Sequence, residues 1–199
     1  LPLAKVITPN LAEAEALIQD ALELGIRTII DIVPNHVSDQ HRWFRAAVAA
    51  GPGAPERERF WFRDGRGTDG ELPPNDWTSE FGGTPWTRLT TPDGVPEQWY
   101  LHLFSAEQPD LNWQHEDVRL EHEEILRFWF DRAVAGIRID SAALLAKDPD
   151  LPEVPADPRP GEHPYVDREE LQEIYRGWRR IAQEYGTDRA LIGEVWLPD

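Results

Sequence analysis

Three carboxylate-bearing segments close apolar runs in this chain: Asp31-Ile-Val-Pro-Asn-His36, Gly136-Ile-Arg-Ile-Asp140 and Gly193-Glu194-Val-Trp196. Each places a charge where a buried strand should stop. Such endings on distant segments point to one polar site assembled from all of them. Asp140 and Glu194 end neighbouring predicted strands. Two carboxyl groups facing each other across a cleft are the equipment for glycosidic cleavage: one attacks the anomeric carbon and the other protonates the leaving oxygen. Arg138 precedes Asp140 by two residues on the same strand face and supplies the counter-charge of a nucleophilic carboxylate. Glu194 stands beside Val195 and Trp196, the drier setting that suits a proton donor. The plain alternative is that each strand-end acid caps a helix.

Asp31 interrupts the run Thr28-Ile-Ile-Asp-Ile-Val33. A carboxylate inside such a run is costly unless paired. Arg138 is the economical partner, bridging Asp31 and Asp140; a backbone cap is the other reading of Asp31. Asn35 and His36 follow Pro34 off the same strand. They could hydrogen-bond the hydroxyls of a ligand or hold a metal, and a hard cation would favour the Asn35 oxygen over the His36 ring.

Elements in the pattern βα must carry these residues. Apolar positions 11, 14, 17, 18, 21 and 22 have helical spacing, with Asn10 and Glu13 as a capping box and Gly25 as the stop. Residues 26–33 form a β-branched run, expected as a strand buried on both faces of a parallel sheet. Residues 37–116 are dense in Gly, Pro, Asn and Asp, too long for a βα loop, and read as an insertion with short strands at 60–63 and 99–104. Helical spacing returns at 118–133 and 169–185; residues 137–139 and 190–192 are strands. Residues 147–164 hold six prolines and read as an exposed loop. Repeated βα order fits a doubly wound sheet or a (β/α)8 barrel. No Gly-rich phosphate loop follows any strand, and barrels place their sites at strand C-termini.

Composition excludes several classes. The net charge of -17, without a basic cluster, argues against nucleic acid or another polyanion and for a neutral or cationic ligand, or for solubility alone. No Cys is present, so there is no disulfide framework and no thiolate chemistry. No apolar run reaches the length of a membrane span, and a cytoplasmic setting is expected. The first residue is Leu1 rather than Met, which leaves the N-terminal address open. Trp61, Trp77, Trp86, Trp99 and Trp113 cluster in the insertion, either as core fillers or as flat platforms for sugar rings.

Taken together, the three segments resemble the signatures of the α-amylase superfamily, glycoside hydrolase family 13, across nearly the whole chain. Gln108-Pro-Asp-Leu-Asn112 resembles a further signature. That form, with the Asn75-to-Trp86 run, is similar to the oligo-1,6-glucosidase and α-glucosidase branch. The resemblance implies a partial (β/α)8 barrel at 1–36 and 117–199, with an inserted domain B at 37–116. It implies a retaining α-glucosidase acting on short oligosaccharides, with transglycosylating trehalose or isomaltulose synthases and non-catalytic relatives as alternatives. Asp140 would be the nucleophile, Glu194 the acid/base, Arg138 and His36 sugar contacts, and Asp31 their support. Ser141, directly after the nucleophile, leans toward α-1,4 links. No cofactor is implied, although a structural Ca²⁺ is possible in the full-length enzyme. The expected partner is an oligosaccharide, with no nucleic acid and no membrane.

The chain also departs from the family pattern. Ser141-Ala-Ala-Leu144 stands where many relatives have a small residue and a His. The signature carrying a third acid, and the first two strands with their Tyr and cation loop, are not in this sequence. An internal piece with three of eight strands is expected, and in isolation a poor catalyst.

Overall fold

Asn10 and Glu13 form the expected capping box, and the first helix, α1, spans Leu11–Glu23. Gly25 follows at φ +73°, a backbone region that favours glycine, and ends it. The computed structural model describes residues 10–157, 159 and 162–195. After α1 come β1 (Ile29–Ile32), α2 (Arg42–Ala50), a 3₁₀ turn (Pro55–Arg59), β2 (Phe62–Arg63), β3 (Trp86–Thr90) and β4 (Pro96–Leu101). Then follow α3 (Glu116–Asp131), β5 (Gly136–Ile139), α4 (Leu171–Glu184) and β6 (Ala190–Gly193).

The strands form two sheets. The first has the order β1-β5-β6, parallel throughout, with Asp31 opposite Arg138 and Ile139 opposite Gly193. This is the parallel βα architecture of a partial barrel. The second sheet, β2-β4-β3, is antiparallel and lies wholly within the insertion.

The main core lies between the parallel sheet and two helices. Val118, His122, Leu126 and Phe130 recur at helical spacing on α3 and are buried. Trp178, Ile181 and Ala182 of α4, with Ile137 and Ile139 of β5, complete this layer. A smaller cluster joins Trp61, Trp77, Trp86, Leu101 and Leu103. Four of the five insertion tryptophans are 2% exposed, and their indole N–H groups donate to carbonyls of Leu111, Pro152 and Pro34 and to Asn75 Oδ1. Packing, rather than sugar stacking, is therefore their use.

Two expectations are corrected. The first strand is not buried on both faces: Ile29 is half exposed and only Ile32 is buried. Among the described residues β1 pairs on one edge only, with β5. The proline-rich segment is irregular, but it is not simply exposed. Leu151 and Tyr165 are buried against the tryptophan cluster. Trp77 Nε1 donates to Pro152 O at 2.7 Å, and Asn75 Nδ2 to Leu151 O at 3.1 Å. Backbone carbonyls left free by the prolines take donors from the insertion, and that fixes the loop. Helix α2 was unexpected, hidden by the Gly and Pro around it.

His122 gives the fold a pH dependence. Its ring sits between Trp113 and Trp178, with Nδ1 2.8 Å from Val118 O. Burial holds its pKa down at about 4, against an ordinary 6.5. The unfolded chain therefore takes up this proton first as pH falls. Stability is fully present above the unfolded value and is lost between roughly pH 6.5 and 4, by about 3 kcal/mol. Urea unfolding of the full-length protein and of His122→Leu, followed from pH 7 to 4, checks this. The variant should have the flatter profile; parallel profiles would reject the assignment.

Candidate active site

The parallel ladder continues past the last strand residues. Asp140 N donates to Ile32 O at 3.0 Å, Glu194 N to Ile139 O at 2.9 Å, and Ala142 N to Glu194 O at 3.0 Å. The carboxylates of Asp140 and Glu194 are thus set by sheet register, not by loop conformation. Gly193 permits the approach: a Cβ there would lie 3.0 Å from the Ala142 Cβ. From α4, the Tyr175 hydroxyl donates to Ala142 O and ties the turn after Asp140 to the helix layer.

Arg138 joins the strand-end acids. Nη1 lies 2.6 Å from Asp31 Oδ1 and 3.4 Å from Asp140 Oδ1, and Nη2 lies 3.0 Å from Glu194 Oε1. Hydrogen bonding to Asp31, reinforced by the three negative charges, holds its guanidinium pKa above the ordinary range. The expected Asp31–Arg138–Asp140 bridge is present and extends to Glu194. In this chain Asp31 is 54% exposed. Ser141 adopts φ +52°, a left-handed conformation unusual for a non-glycine residue. Its Oγ donates to Asp140 Oδ2 at 2.8 Å, and its N–H to Glu194 Oε2 at 3.3 Å.

Asp140, Ser141 and Glu194 line a cleft of about 720 Å³. Its other walls come from Glu80, Phe81 and Phe104 of the insertion and from His163 and Val166 of the loop after β5. Val195, beside Glu194, also lines the cleft; Trp196 lies outside the described residues. His36 is not among the lining residues. It is buried, packs on Phe104 with ring centroids 5.0 Å apart, and has Gln108 Nε2 2.9 Å from its Nε2. Burial, with Lys147 nearby, lowers its pKa against the pull of Asp110 and Asp140, which favours the neutral ring.

Lys147, which carries little signal in the sequence, holds this corner together. Its ammonium lies 2.6 Å from Asn35 Oδ1 and 2.8 Å from Asp110 Oδ2. Lys147 and Asp110 side chains are both 0% exposed. The ammonium therefore stands where a calcium ion beside Asn35 Oδ1 and Asp110 Oδ2 would have to sit. These residues do not fit a bound Ca²⁺, and Asn35 is not a metal ligand here. The sequence signal was faint: a single Lys closing the apolar run 142–146.

Comparison with known proteins shows the family. The α-amylase catalytic domain matches residues 9–199. The chain belongs to the α-amylase family, glycoside hydrolase family 13. Its barrel is the (β/α)8 type of that family, represented here in part. Within the family, it is 44% identical over 144 residues to trehalose-6-phosphate hydrolase of Escherichia coli, a match covering 72% of this chain and 24% of that protein. It is 37% identical over 193 residues to an α-glucosidase of Saccharomyces cerevisiae, covering 90% of this chain and 32% of the relative. The crystal structure of a trehalose-6-phosphate hydrolase of Bacillus licheniformis superposes with a TM-score of 0.77 and 32% identity, over 92% of this chain and 31% of that one. The chain thus spans about a third or less of the length of these glycosidases.

Proposed function

We propose that this chain carries the nucleophile and the acid/base of a retaining α-glucosidase that releases terminal α-linked glucose, α-1,4 links favoured, from short oligosaccharides. The observation carrying the proposal is the pairing of Asp140 and Glu194 on adjacent parallel strands, both facing one cleft and both held by Arg138.

In this reading an Asp140 oxygen attacks the anomeric carbon while Glu194 gives its proton to the departing oxygen. A water then enters, Glu194 removes its proton, and the bond to Asp140 breaks to release glucose with its configuration retained. Arg138 fixes the carboxylates relative to each other and balances their charge. Asp31 orients Arg138, and His36 supports the sugar side of the cleft through Phe104. Ser141 steers Asp140 Oδ2. Residues 37–116 form the inserted domain B, and 1–36 with 117–199 the barrel that carries the chemistry.

The test is covalent trapping. The full-length protein is incubated with a fluorinated α-glucosyl fluoride that forms the glycosyl ester but releases it slowly. Peptide mass spectrometry should place the sugar on Asp140. A label on any other residue, or inversion at the anomeric carbon, would reject the proposal.

A further inference from the structure

The charge of the leaving group is left open by fold likeness alone, since this chain is similar both to a trehalose-6-phosphate hydrolase and to an α-glucosidase. The cleft wall bears on that choice. Its ionisable members are Glu80, Asp140, Glu194 and His163, and no Lys or Arg lines it among the described residues. Arg138 is the cation next to the catalytic pair, and Asp31, Asp140 and Glu194 already share it. His163 is held toward its neutral form, because burial lowers its pKa.

Glu80 differs from the other acids. It belongs to the insertion, away from the strand ends, and its carboxylate makes no hydrogen bond or ion pair among the described residues. Its position is nevertheless well held. Glu80 N donates to Leu103 O at 2.7 Å, and Ser79 Oγ donates to Phe104 O at 3.0 Å while accepting from Phe81 N at 3.1 Å. Phe81, 72% exposed, stands beside it on the same wall. Glu80 is exposed to solvent, yet the burial it does have and the charge of Asp110 push its pKa up, and among the described residues no partner offsets this.

We infer that Glu80 is a specificity-determining residue that selects uncharged leaving groups and turns away phosphorylated ones. A neutral sugar offers hydroxyl donors to this carboxylate, which has accepting capacity to spare. A phosphate dianion would meet three acidic side chains, Glu80, Asp140 and Glu194, and among the described residues no Lys or Arg lining the wall. This rests on the α-glucosidase reading above and deepens it to a substrate class: neutral α-glucosides.

The test compares maltose with maltose phosphorylated on O6 of its reducing-end glucose. In the full-length protein kcat/KM should favour the neutral sugar by about tenfold or more. Glu80→Lys should cut that preference by about tenfold, with Glu80→Gln between. A preference unchanged in both variants, or a wild type that favours the phosphorylated sugar, would overturn the inference. Calorimetric binding of both sugars to Glu194→Gln separates the two readings. Failure of the wild type to cleave maltose would sink the glucosidase proposal. Equal affinity for the two sugars, or none for either, would sink the assignment of Glu80.

Discussion

Asp140→Asn in the full-length protein is expected to lower kcat on an α-glucoside by about 10⁴-fold or more, with KM and the unfolding midpoint little changed. Asn matches Asp in shape but cannot donate the electron pair that forms the glycosyl ester. The fold should tolerate it, since Arg138 keeps Asp31 and Glu194 as partners and the Asp140 main chain keeps its bond to Ile32 O. Glu194→Gln should behave differently. Loss of the proton donor should slow maltose by about 10²- to 10⁴-fold, yet spare the first step for an aryl glucoside whose leaving group needs no proton. Azide, which needs no general base, should then speed release of the sugar from that variant. Asp140→Asn activity within about tenfold of wild type would end the assignment of the nucleophile. Equal losses on both substrates would remove Glu194 from the role of acid.

How much of this was legible in the sequence depends on how local the cause was. The capping box at Asn10 and Glu13 is three residues wide and needs nothing from the rest of the chain, so α1 was readable to its first residue. The strands at 29–32, 136–139 and 190–193 were readable from apolar runs that end in acids. The Arg138 bridge followed from a cost argument, because an acid inside an apolar run needs a partner and Arg138 was the one available. Helix α2 is hard to read because it lies inside the insertion, whose Gly and Pro mask its helical spacing, and its apolar face, Phe44 and Ala47, packs on other insertion residues such as Phe60 and Tyr100. The burial of the proline-rich loop is hidden in the sequence for a similar reason. Its burial arises from carbonyls at Leu151 and Pro152 meeting Asn75 and Trp77, contacts more than seventy residues apart in sequence. Lys147 and Glu80 were invisible in the same way, since each acquires meaning only from what the fold brings near it.

Lys147 carries the second large expectation. Lys147→Met should destabilise the full-length protein by about 3–5 kcal/mol, because it strands the Asp110 carboxylate in a site closed to water. Burial pulls the Lys147 pKa down, and the charge of Asp110, 2.8 Å away, pulls it back; the ammonium depends on that partner. Asp110 cannot simply be deleted in turn, since its Oδ1 accepts the Leu103 N–H at 3.0 Å. Asp110→Asn keeps that acceptor and removes the charge. The double variant Asp110→Asn with Lys147→Met should therefore recover much of the loss, and a double-mutant cycle on urea unfolding would show strong coupling. A Lys147→Met cost below about 1 kcal/mol would mean that no buried charge pair exists there. The same lysine links stability to chemistry. It sits seven residues beyond Asp140, and through Asn35 and Asp110 it fastens the turn after β5 to the end of β1 and to the returning edge of the insertion. Those contacts hold Gln108 and His36 behind Phe104, which lines the cleft together with Asp140. Loss of the ammonium should consequently lower kcat in the folded fraction as well, and the double variant should restore stability more fully than turnover.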